Sequence, residues 1–152
     1  SMVEQSSYWK LITPAFIHFG WVHFIFNTLW IWLFGEKLER LLGFSKFCLL
    51  FIATAIGANV VQYLLGGATN FGGLSGVVYG FAGCLMLLSR KVAIPGRPIP
   101  NGIFIFMLVM LGMGFTGAMD LFVDGSIANW AHLGGLLSGL LFGWLYCVLR
   151  VK

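Results

Sequence analysis

The chain has 152 residues, of which 59% are hydrophobic, 16% aromatic and only 9% charged, with a formal net charge of +4. A soluble domain carries roughly 25% charged residues, so this composition excludes a water-facing globular surface. The positive balance therefore argues for no nucleic-acid partner, and its meaning lies in where the basic residues fall. The expected architecture is all-α, a polytopic bundle of membrane-spanning helices.

Five apolar segments follow one another, at about 19–34, 47–65, 74–89, 102–119 and 128–149. A span needs roughly 20 residues, within about 17–25. The second, fourth and fifth segments meet this, and the first meets it by including His18 or its flank. The third stops at Arg90-Lys91. At 1.5 Å per residue it covers only about 24 Å, so its amino end, which carries Ser75, is expected to start below the membrane surface. Cys48, Cys84 and Cys147 all lie in apolar runs without paired spacing and read as packing thiols. The opening Ser-Met reads as a cloning remnant, and "IPGRPIP" (94–100) as a proline-punctuated loop.

The charges orient the bundle. Lys37, Arg40 and Lys46 follow the first segment, Arg90, Lys91 and Arg97 the third, and Arg150 and Lys152 the fifth. The loop "GGATNFGG" is uncharged, the loop after the fourth segment holds Asp120 and Asp124, and Lys10 is the one basic residue elsewhere. By the positive-inside rule the basic loops are cytoplasmic, with the amino terminus outside and the carboxyl terminus inside. His23, Ser75 and His132 then fall a few residues inside their helices from the same outer face. Polar residues within spans are costly and mark functional sites by default.

Spacing adds to this. His23 and Asn27 are four apart, as are Ser75 and Tyr79, so each pair shares a helical face. Gly72, Gly76, Gly80 and Cys84 form a small-residue stripe, and Ala131, Gly135, Gly139 and Gly143 another. Such stripes let helix backbones approach closely; facing each other, they bring Ser75 within reach of His132. The bland alternative is packing alone, with the serine and histidine bonded to carbonyls. These residues by themselves leave both readings open.

The chemical reading is coherent. A serine hydroxyl becomes a useful nucleophile when a neighbouring base takes its proton, a role that suits histidine. The oxyanion needs fixed donors, for which His23, the Asn27 amide and the Ser75 backbone N–H are candidates. No carboxylate lies in any span, which favours a Ser-His dyad over a triad.

At these residues the sequence resembles the rhomboid intramembrane serine proteases. The resemblance runs through His18-x-Gly20-x-x-His23-x-x-x-Asn27, Gly35-x-x-x-Glu39-x-x-x-Gly43, Gly73-Leu74-Ser75-Gly76 and Ala131-His132-x-x-Gly135-x-x-x-Gly139, in order over about residues 8–149. It implies a Ser75–His132 dyad, an oxyanion hole from His23, Asn27 and the Ser75 backbone, and Tyr79 packed beside the His132 ring. It further implies Gly72 and Gly73 as the place where backbone approaches substrate. Phe26, Trp30 and Met113 become candidates for a lateral gate or substrate pocket between the first and fourth helices. Glu39 and Arg40 look structural, tying the end of the first helix to its loop. His18 is expected to be an outer-loop structural residue, five positions from His23 and so rotated to another face.

Bacterial rhomboids usually have six core helices, so the five here are expected to form a single domain over 1–152, truncated at its amino end. The implied activity is endopeptidase cleavage of single-span membrane proteins in the bilayer, without cofactor or metal. The implied location is a bacterial inner membrane, with the active site toward the periplasmic or extracellular side. A non-catalytic module that holds client helices is the alternative function. A metal site from His18, His23 and His132 lacks a His-Glu-x-x-His motif and a nearby carboxylate.

Overall fold

The computed structural model describes residues 8–67, 71–118 and 127–150. Asn70, Asp120, Asp124, Lys152 and the opening Ser-Met lie outside these residues. Five α-helices occupy the five apolar segments: α1 (Trp21–Leu42), α2 (Phe44–Val61), α3 (Ser75–Leu88), α4 (Asn101–Phe115) and α5 (Asn129–Arg150). Two short 3-10 turns, Tyr8–Leu11 and Thr13–Phe16, precede α1, and a π-helical turn, Gln62–Gly66, extends α2. Phe44–Gly66 and Asn129–Arg150 are long and apolar enough to cross a membrane by length and composition.

α1 gains its length at the opposite end from the one the apolar run suggests. It does not reach back to His18 but continues past the apolar stretch through Glu36-Lys37-Leu38-Glu39-Arg40 to Leu42. The extension is amphipathic: Leu38 and Leu42 are buried, whereas Glu36 and Arg40, four apart, form an exposed 2.7 Å ion pair. Gly43, at φ 81°, then breaks the helix, a left-handed conformation that glycine adopts without a Cβ penalty. The Gly43 N–H donates to Glu39 O, and α2 begins at the next residue. The tie from this end to a loop is made by Lys37, whose Nζ donates to Arg97 O at 2.6 Å. Arg40 instead pairs with Glu36 on its own helix.

α3 is the central helix, with 11 of its 14 residues buried. Its length at 1.5 Å per residue is about 21 Å against a hydrocarbon thickness of about 30 Å. α1, α2 and α5 surround it, and Phe34, Leu38, Leu50, Val77, Phe81, Leu85 and Leu88 form the fully buried core. Contacts between α3 and α5 are backbone to backbone, as the two small-residue stripes require. A Cβ at Gly135 or Gly139 would collide with the carbonyl oxygens of Gly76 and Gly80 respectively, and one at Gly143 would lie 3.3 Å from Cys84 O. α3 and α5 therefore run parallel with their first turns side by side.

α2 contributes a third surface that the stripe pattern left out. Thr54 and Ala58 fill the space beside Gly80 and Gly76, while Gly57 meets Ser138 and Gly134 on α5. The paired spacing Gly57-x-x-x-Val61 and Gly134-x-x-x-Ser138 was the available signal. α4 packs more lightly. Phe104 stacks at 6.5 Å from Phe34 of α1, and the Tyr79 hydroxyl of α3 donates to Met107 O at 3.0 Å.

Candidate active site

Ser75 is the first residue of α3, where backbone N–H groups have no intrahelical acceptor. His132 lies in the first turn of the parallel helix α5. The stripe contacts hold these two turns together, and the side chains meet: His132 Nε2 and Ser75 Oγ are 2.9 Å apart. The serine hydroxyl can donate along this line when Nε2 carries no proton. Tyr79, one turn below Ser75, stacks on the His132 ring at 4.7 Å and 24°. With its hydroxyl fixed on Met107 O, this ring limits how far the imidazole can tilt.

The next group comes from α1. A Cβ on Gly73 would lie 2.7 Å from His23 Cε1, 3.2 Å from His23 Nε2 and 3.8 Å from Asn27 Nδ2. Both side chains thus converge on the backbone just before Ser75. Asn27 is 5% exposed, and its Nδ2 is buried with no hydrogen-bond partner. Among the described residues nothing accepts from this amide, and a buried donor without an acceptor costs about 1–3 kcal/mol, so it can donate to an oxygen brought against the Gly73–Ser75 backbone. Gly73 sits at φ 119° and donates its N–H to Pro14 O at 2.9 Å.

Gly72 is placed differently from the expectation. The position of its absent side chain is filled by Ile17 Cβ at 2.8 Å and Pro14 O at 2.9 Å, so its smallness makes room for the 3-10 segment. His18 departs too. Its ring lies 5.5 Å from that of His23, because residues 17–20 precede the helix and the five-residue rotation does not apply. Its Nδ1 faces Phe16 O at 3.2 Å. Phe26 is exposed, Trp30 stacks on Phe34 at 5.2 Å, and Met113 is half-buried near the end of α4. None of the three lines the cleft of about 420 Å³ formed by Gln62, Phe71, Phe115 and Trp130 among others.

Gln62 was missed in the sequence. It is 5% exposed, and its Oε1 accepts a hydrogen bond from the Ala131 N–H at 3.1 Å. Helix α5 has Ala128 before it, with no side-chain oxygen to cap the first turn; Gln62 supplies a side-chain acceptor from another helix, next to His132. An isolated glutamine after "GANVV" carries no pattern, and only the fold brings it across 69 residues. Gln62→Leu is expected to lower unfolding stability by about 1 kcal/mol, read by unfolding in mixed micelles. The Ala131 N–H keeps Ala128 O as a second acceptor, which holds the loss at that level.

A rhomboid domain model matches residues 5–149. The chain belongs to the rhomboid family. Among curated relatives, the rhomboid protease GlpG of Yersinia pestis (strain Pestoides F) is 39% identical over 136 residues, covering 90% of this chain and 47% of the relative. The protein of the same name from Yersinia pseudotuberculosis serotype O:3 (strain YPIII) matches equally, and that of Yersinia enterocolitica serotype O:8 is 37% identical over the same length. The chain spans about half the length of these rhomboid proteases. Membership of the rhomboid family and the apolar helices make this an integral membrane protein.

Proposed function

We propose that the chain is an intramembrane serine endopeptidase that cuts transmembrane segments of membrane proteins through a Ser75–His132 dyad. The observation that carries this reading is the 2.9 Å Ser75 Oγ to His132 Nε2 contact, with the His132 ring stacked on Tyr79. Ser75 attacks the substrate carbonyl carbon while His132 takes its proton; the C–N bond then breaks as His132 returns the proton to the leaving amine. Water repeats the sequence on the acyl-enzyme and frees Ser75. The tetrahedral oxyanion is held by Asn27 Nδ2, the His23 ring and the Ser75 N–H, which lie around the Gly73–Ser75 backbone. The short α3 supports chemistry set below the membrane surface, at the end of the bundle away from every basic loop residue but Lys10. That charge asymmetry supports a site facing the periplasmic or extracellular side of a bacterial inner membrane.

The test is labelling of Ser75 by a fluorophosphonate together with cleavage of a single-span reporter in proteoliposomes. Labelling lost in Ser75→Ala is expected, and undiminished cleavage by folded Ser75→Ala overturns the reading. Asn27→Ala separates the oxyanion role from a structural one. It is expected to lower kcat by about 10²–10³ with a much smaller proportional loss of unfolding stability, because Nδ2 has no hydrogen-bond partner among the described residues. A purely structural asparagine gives the opposite pattern.

A further inference from the structure

The end of the bundle opposite Ser75 carries a second ordered cluster. Tyr146, on the last turns of α5, is half-buried, and its hydroxyl faces Leu41 O in the last turn of α1 at 3.5 Å. Two cations lie against this one ring: Lys46 Nζ, from the first turn of α2, at 5.5 Å from the centroid and the Arg150 guanidinium at 5.8 Å. A cation gains from an aromatic face, but two like charges drawn to the same ring repel each other. Among the described residues neither has a carboxylate partner, since the one ion pair there joins Arg40 to Glu36.

The surroundings define what would neutralise them. Lys46 and Arg150 are both exposed. Beside them the surface turns apolar at once, with Phe44 and Leu49 exposed on α2 and Leu145 and Leu149 on α5. A free anion matches only the two charges. A molecule with an anionic head and hydrocarbon tails matches both the charges and the adjoining surface.

The geometry points to a binding site for the phosphate of an anionic phospholipid at Lys46, Tyr146 and Arg150. The phosphate accepts hydrogen bonds from the Lys46 ammonium and the Arg150 guanidinium, whose long side chains turn to a single group. The acyl chains lie along the exposed leucines. Basic pockets between helices at the membrane boundary recognise anionic headgroups in this way, and each Lys or Arg near an anionic lipid surface gains about fivefold in affinity. The occupied site clamps the ends of α2 and α5, the two helices flanking α3.

The experiment uses the full chain in vesicles of phosphatidylcholine containing spin-labelled phosphatidylglycerol or spin-labelled phosphatidylcholine, with the motionally restricted fraction read by electron spin resonance. The expected result is preferential restriction of phosphatidylglycerol. That preference is about fivefold weaker in Lys46→Gln and close to parity in Lys46→Gln/Arg150→Gln. Arg90→Gln/Lys91→Gln removes the same charge at the end of α3 and is expected to leave most of the preference. Equal restriction of the two lipids by the unaltered chain overturns the site, as does equal loss in both double variants, which marks a general charge effect. Inorganic phosphate at millimolar concentration distinguishes the sources: displacement of the labelled lipid by phosphate alone shows a free-anion site and overturns the lipid assignment.

Discussion

Ser75→Ala and His132→Ala are each expected to reduce peptide-bond cleavage by a factor on the order of 10⁶, the scale found when either member of such a pair is removed from another serine hydrolase. The reason is that the two side chains act as one unit across their 2.9 Å contact. Without His132 the hydroxyl keeps its proton and is a poor nucleophile; without Ser75 the histidine has no covalent partner to activate. The losses therefore do not add, and the double variant is expected to be no slower than either single one. Initial rates of reporter cleavage in proteoliposomes, with fluorophosphonate labelling alongside, check this. A multiplicative loss in the double variant shows two independent contributions and sinks the dyad.

The second large effect is on folding. Gly139→Val is expected to destabilise the bundle by about 3 kcal/mol or more, the upper end of overpacking costs. The added Cβ runs into the Gly80 carbonyl oxygen, and a backbone atom in the middle of a helix cannot rotate aside as a side chain would. α5 must move away from α3, taking His132 from Ser75, so activity and stability fall together. Gly112→Ala is the contrast. Nothing lies within 4 Å of a Cβ there, and the change is expected to be neutral or to stabilise α4 by about 0.5–1 kcal/mol through the lower backbone entropy of alanine. Unfolding in mixed micelles reads both, and equal effects at the two positions would remove the case for backbone contact.

Much of the fold was legible because membrane helices write themselves in composition. Hydrocarbon admits few charges and requires every backbone group to be bonded within its segment, so five apolar runs became five helices. The small-residue stripes were equally readable, since close backbone approach at fixed register tolerates no side chain. Gly135 and Gly139 on one helix announce the partnership that Gly76 and Gly80 complete. The motif residues His23, Asn27, Ser75, Tyr79 and His132 stood out for a related reason: polar groups in an apolar run are expensive, and few are retained without use.

Other features depended on distance in space. The extension of α1 to Leu42 uses a mixed polar and apolar pattern that hydropathy passes over. Gln62 caps a helix 69 residues away, and no local pattern marks such a partner. His18 lies in the loop before α1, as expected of it, but a rotation counted along a helix does not apply to that loop, and its ring comes to 5.5 Å from that of His23. Gly72 was read as open to substrate, although Ile17 and Pro14 occupy its empty side.

Taken alone, the sequence determined the helices, the faces they pair through and which polar residues stand as candidates for the proposed chemistry, because periodicity and the cost of buried polarity are properties of residue type and order. The tertiary structure decided the Ser75 to His132 distance, the Asn27 amide beside Gly73 with no partner among the described residues, the cap from Gln62 and the placing of two cations against Tyr146. Each of these is a contact between segments remote in the chain, and only packing in three dimensions sets which side chains share a point in space.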